Sequence, residues 1–154
     1  MEYGSIEREI HVEAAPEVVY EVISTPEHVR GWWPDEAEFE REPGATGVVS
    51  WGDRSTSEAK VVPLTVMEAD PPRRFSFRWV YDEGEAATSA NSLLVTFELV
   101  PSGAGTLLRF TEAGFREKGL EGAVLEEQYS SHARGWDSFL PRLATYAAGL
   151  VSTP

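Results

Sequence analysis

The chain contains no cysteine, which excludes disulfides, thiolate metal sites and a cysteine nucleophile, and fits a reducing compartment such as the cytoplasm. Histidine is scarce: His11, His28 and His132 are the three present, and no pair has metal-ligand spacing, so no metal and no cofactor is expected. Positive charge is also short. Thirteen basic residues against 26 acidic ones leave a formal net charge of −13. Such a surface repels phosphate backbones and anionic lipid, and no basic stripe offsets it, so nucleic acid drops out as a partner. No apolar run approaches the roughly 20 residues of a membrane helix, so no membrane insertion is expected. The opening "MEYGSIEREI" has neither the basic nor the apolar segment of a secretory signal. No G-x-S-x-G elbow or phosphate loop occurs; "SGAGTLL" has the glycines but runs into a strand. No composition shift or internal repeat divides residues 1–154, so one domain is expected.

What the chain does have is aromatic side chains: 11% of residues, with five tryptophans. Rings of this kind line ligand pockets as well as cores. The period-two rule places most of them on strands. "SIEREIHVEA" puts Ile6, Arg8, Ile10 and Val12 on one face. "RRFSFRWVY" puts Phe75, Phe77, Trp79 and Tyr81 together, "SLLVTFELV" does so for Leu93, Val95, Phe97 and Leu99, and "TLLRFTEAGF" for Leu108, Phe110 and Glu112. "PSGAG" reads as the hairpin turn between the last two. "EAEFERE", "TGVVSWG" and "EAKVVPLTVMEADPP" are further strands; Pro63 in the last argues for an edge or a bulge.

Helices flank this run. Pro16 and Pro26 each suit a helical first turn, giving two short helices that end near Trp32 and Trp33. From about Leu120 to Leu150 one amphipathic helix is expected, with His132, Trp136, Phe139 and Leu143 on one stripe and Gln128 a turn earlier. Gly135 and Pro141 are poor helix residues within it. Gly135 is expected to let a strand or ring come close beside Trp136, and Pro141 to bend the helix. The order is α+β: about six or seven antiparallel strands, two short helices after the first strand, and a long C-terminal helix. A sheet this long curls, and one helix covering it leaves a slot lined by aromatic rows. Those rows either fill the slot as a solid core or border a cavity.

Three positions carry particular weight. Trp32 and Trp33, as neighbours on a helix, diverge by about 100°, so one is expected in the core and the other at the rim or as a gate. Glu112 shares a face with Phe110 and, if buried, needs a partner, for which Arg8 and His132 are available. Its place near the strand end favours the alternative, that it reaches water. The pairs Asp82–Glu83 and Glu126–Glu127 read as solvated faces, and His11 and His28 as surface residues.

Four stretches resemble the SRPBCC superfamily and, within it, the family named for the activator of the ninety-kilodalton heat-shock chaperone's ATPase. They are "IEREIHVEAAPEVVYEVISTPEHVRGWWP", "VMEADPPRRFSFRW", "LLRFTEAGF" and "GWDSFLPRLATYAAG", and the resemblance spans about Ile6 to Leu150. It implies the helix-grip fold shared with the birch pollen allergen and steroidogenic lipid-transfer domains. It also implies an apolar cavity between sheet and C-terminal helix for a small hydrophobic ligand or lipid. The wall residues would be Trp32, Trp33, Phe75, Phe77, Trp79, Val95, Phe97, Leu108, Phe110, Glu112, His132, Trp136, Phe139 and Leu143. The resemblance leaves two alternatives open: an interaction protein that docks on a chaperone, and a cyclase or hydratase in which Glu112 or His132 moves a proton. A monomer or a homodimer fits each reading.

Overall fold

Alternation along the first strand does what the pattern demands: Ile6 and Val12 are buried while Glu7, Glu9 and His11 are exposed in β1 (Ser5–Val12). The computed structural model describes residues 5–52, 60–80, 86–88 and 90–152. Tyr81 and the pair Asp82–Glu83 lie outside the described residues.

After β1 come α1 (Pro16–Ser24) and α2 (Pro26–Val29), each with proline in its first turn, where its missing N–H leaves no bond unmade. The α1 stripe buries Val19, Tyr20, Val22 and Ile23. Six strands follow: β2 (Glu36–Glu38), β3 (Thr46–Trp51), β4 (Lys60–Asp70), β5 (Arg74–Trp79), β6 (Leu93–Ser102) and β7 (Gly105–Ala113). The chain then enters α3 (Gly122–Ser152), which runs on through Pro141. The strand expected over "EAEFERE" keeps only Glu36–Glu38.

The seven strands form one curled antiparallel sheet in the order β1-β7-β6-β5-β4-β3-β2, so the fold is the helix-grip α+β arrangement. A two-residue turn at Gly103 and Ala104 joins β6 to β7, and Gly103 takes the positive φ (+62°) such turns require. Pro63 sits inside the sheet's order, between β3 and β5, yet β4–β5 pairing starts one residue later, at Leu64 with Trp79. On its β5 side Pro63 is thus locally at an edge. The bulge on β4 comes further on, between Val66 and Glu68.

Register turns the aromatic strands into rows across the sheet. Phe75, Phe97 and Phe110 stand side by side on β5, β6 and β7. The next row is Phe77, Val95 and Glu112, continued by Ile6 on β1. Trp79 and Leu93 begin a third. α3 lies across these rows and buries Leu125, Trp136, Leu140, Leu143 and Ala147. Leu140 stands four residues after Trp136, on the stripe that Phe139 was expected to hold; Phe139 is only partly buried. Gln128, expected on that stripe, is exposed. The inner-facing Arg8 reaches α3 and binds Asp137, with Nε to Oδ1 at 2.7 Å. No helix among the described residues is long and apolar enough to cross a membrane.

Candidate functional site

The deeper rows are packed. Phe75, Phe97, Phe110, Leu108, Val95 and Leu143 are each at most 1% exposed, and Phe97 meets Phe110 edge to face at 5.5 Å. Ring pairs in this arrangement add about 0.5–1.5 kcal/mol beyond the area they bury. Trp32 belongs to this part: it is 1% exposed, meets Phe97 edge-on and donates its indole N–H to the Val22 carbonyl at 3.0 Å.

Trp33 is buried as well, so the two indoles do not point apart as expected, although Trp32 lies in the core and Trp33 borders open space. The 100° divergence does not apply, because α2 ends at Val29 and both indoles sit in the turn beyond it. They stack, with centroids 5.8 Å apart and planes 17° from parallel. Trp33 then joins Phe77, Trp79, Trp51 and Trp136, at centroid distances between 5.0 and 5.7 Å.

Glu112 is fully buried, and the expectation that it reaches water is wrong. The strand end at β7 is covered by α3 rather than open. Burying an ionised carboxylate costs several kcal/mol unless its oxygens are hydrogen-bonded. Here they are. Trp79 Nε1 donates to Oε2 at 2.7 Å, Trp136 Nε1 donates to Oε1 at 3.0 Å, and His132 Nδ1 lies 2.8 Å from Oε1. Of the two partners considered for it, His132 is the one it has; Arg8 is taken by Asp137. Arg8's hydrogen bond also holds the Asp137 carboxyl below its ordinary value. The carboxylate thus ties a β5 indole to two α3 side chains.

In front of this network the sheet and α3 part. A cleft of about 280 Å³ opens between them. Trp33, Trp51, Trp79 and Trp136 wall it with Phe139, while His132, Ser131, Gly135 and Lys60 supply its polar and small borders. Glu112 is behind this wall, holding Trp79, His132 and Trp136 in place. Nothing stands within 4 Å of where a Gly135 Cβ would be. The expected close approach of a strand or ring is therefore absent; the missing side chain instead leaves room in the cleft.

With the fold and this geometry in view, a family model described as activator of Hsp90 ATPase homolog 1-like protein matches residues 13–148. The chain belongs to that family. Solved structures agree with the fold. An X-ray structure from Mesorhizobium loti superposes with a TM-score of 0.74 at 20% identity, covering 97% of this chain and 98% of the other. The solution structure of the Aha1 dimer from Colwellia psychrerythraea gives 0.68 at 18% identity, covering 91% and 92%. A Nitrosomonas europaea protein gives 0.74 at 12% identity, with 94% of each chain covered. No curated protein matches the chain.

Of the residues expected to wall a cavity, this Hsp90 ATPase activator-like chain brings Trp33, Trp79, His132, Trp136 and Phe139 together at the cleft. Glu112 stands directly behind them. Trp32, Phe75, Phe77, Val95, Phe97, Leu108, Phe110 and Leu143 lie in the buried cluster instead. Sequence reasoning missed Trp51, Lys60, Ser131 and Gly135 as cleft borders. Trp51 had a readable signal, since it follows the buried Val49 by two positions on β3. Ser131 and Gly135 are one helical turn apart beside His132 and Trp136, so the small-residue side of α3 was readable too. Lys60 gave no signal. His28 is partly buried, its Nδ1 paired with the Tyr146 hydroxyl at 2.9 Å, whereas His11 and Glu126–Glu127 are exposed as expected.

Proposed function

We propose that this chain holds a small aromatic or otherwise apolar molecule in the cleft between α3 and the sheet. The observation that carries the reading is the wall of four indoles and Phe139 around open space, backed by a carboxylate that fixes three of the wall's side chains. Ring faces offer apolar area with little entropy to lose, because each is already held. The Trp79 and Trp136 indole N–H groups are spent on Glu112 rather than aimed at a ligand, so these two rings present carbon. The deeper rows then serve as the packed floor on which the site is built.

Indole fluorescence tests the reading. Titration with planar aromatics, fatty acids and sterols should give saturable quenching or enhancement for the aromatics, with a matching rise in Tm. A flat response to every class would contradict it.

Family membership supports a second reading, a chaperone-docking protein, whose formal charge of −13 would complement a basic partner. Its test is Hsp90 ATPase turnover with and without the protein. Unchanged turnover together with no complex on a sizing column would rule it out.

A further inference from the structure

Glu112 determines which nitrogen of His132 is left for a ligand. Both indoles can only donate, so the carboxylate is the acceptor toward Trp79 and Trp136. Acting as acceptor toward its third partner as well, it places the imidazole hydrogen on Nδ1, the nitrogen 2.8 Å away. Nε2 then points away from Glu112 and has no protein partner among the described residues, while the ring borders the cleft. In the neutral ring that nitrogen is a lone-pair acceptor. An acceptor set among aromatic rings favours a ligand that brings a hydrogen to it, because a ligand without one leaves it desolvated and unpaired.

The charge around the cleft narrows the class further. The chain has 26 acidic and 13 basic residues, yet among the described residues no carboxylate borders this cleft and one cation does. That cation, Lys60, is exposed, with its ammonium 5.9 Å from the Trp51 ring centre. A positive charge here stabilises an oxygen that gains negative character as it shares its proton with the imidazole. The volume, about 280 Å³, lies just below the usual range for ligand pockets and suits one or two fused rings.

We infer that the ligand is a planar aromatic bearing an acidic hydroxyl, a phenol or enol, whose O–H donates to His132 Nε2 while its rings lie against the indoles. This inference rests on the reading of the cleft as a small-molecule site. Glu112 is a positioning residue in it: it touches no ligand and sets the tautomer of the residue that does.

Calorimetric titration of the full chain at neutral pH with 2-naphthol, 2-methoxynaphthalene and naphthalene tests it. The three share their rings, but only the first has a hydrogen to donate. The expected result is 2-naphthol binding about tenfold tighter than 2-methoxynaphthalene, the effect of one well-placed hydrogen bond. In His132→Phe that difference should vanish while naphthalene still binds. In Glu112→Gln the amide has one oxygen and cannot accept from all three donors, so the imidazole tautomer is no longer fixed and the preference for 2-naphthol should shrink. Equal affinities of the wild-type chain for all three would overturn this inference and leave the small-molecule reading standing. Binding of none would overturn both. The wild-type comparison decides the matter even if either variant fails to fold.

Discussion

Along the seam between α3 and the sheet, the sheet side hardly changes in character: Phe75, Phe97 and Phe110 at one end, Trp79 with Trp51 at the other. The helix side changes sharply. Beyond Trp136 it presents Leu140, Leu143 and Ala147, all buried, and the seam is closed. Around Trp136 it presents Ser131, His132 and Gly135, and the seam is open. An aromatic row is therefore core where other rings cover it, Tyr20 over Phe75, Trp32 over Phe97 and Trp136 over Phe110. It becomes the wall of a site where the helix offers a missing side chain and a polar one. The two ends also differ in what holds them. The closed end relies on apolar burial, which is non-directional. The open end relies on three directed N–H donors converging on one carboxylate.

Substitutions can separate the two ends. The largest effect should come from the closed end: Leu143→Ala removes a fully buried side chain and should cost about 2–5 kcal/mol in urea unfolding. Ligand affinity of the folded variant should stay within about twofold, since Leu143 does not border the cleft. Glu112→Leu should cost somewhat less, about 2–4 kcal/mol, by leaving the indole donors of Trp79 and Trp136 buried without acceptors. Unlike Leu143→Ala, it should also loosen the cleft wall, which near-ultraviolet circular dichroism of the tryptophans would report.

Gly135→Ala should move the two properties in opposite directions. Replacing a mid-helix glycine should raise stability by about 1 kcal/mol, because the new Cβ meets nothing within 4 Å. The same methyl enters the cleft and should weaken ligand binding several-fold. A Gly135→Ala chain that is more stable and binds as well as before would break the link between this glycine and the site.

The smallest effect is electrostatic. Asp137 is held below its ordinary value by Arg8, so the unfolded chain takes up this proton first as pH falls. The ion pair's contribution is complete above the ordinary carboxylate value, about pH 4, and is lost as pH drops through the lowered one. Both side chains are substantially exposed, so the contribution is small. Asp137→Asn should flatten only that acid limb of the stability curve.

The closed end was largely legible in the sequence. Alternation on β5, β6 and β7 placed Phe75, Phe77, Trp79, Phe97 and Phe110 facing inward, and spacing along α3 placed Trp136 and Leu143. The open end was not, for reasons that can be named. Glu112 looked like a solvated strand end because strand periodicity gives a face but not what covers the end of that face. Trp32 and Trp33 were expected to diverge because α2 was expected to continue to them; it stops at Val29, and both turn inward, Trp32 into the core and Trp33 to the cleft. Gly135 was recognised as unusual, but its consequence was read with the wrong sign: as an approach of neighbours rather than a space. Local pattern specifies which side of an element faces in; it does not specify where two inward faces fail to meet.

The most direct measurement follows the five indole N–H resonances of the tryptophans during titration with 2-naphthol. If the open end is the site and the closed end its floor, the signals of Trp33, Trp51, Trp79 and Trp136 should shift with one common affinity. That of Trp32, bonded to the Val22 carbonyl, should stay in place. Movement of Trp32 alone, or no movement of the other four at ligand excess, would contradict the account.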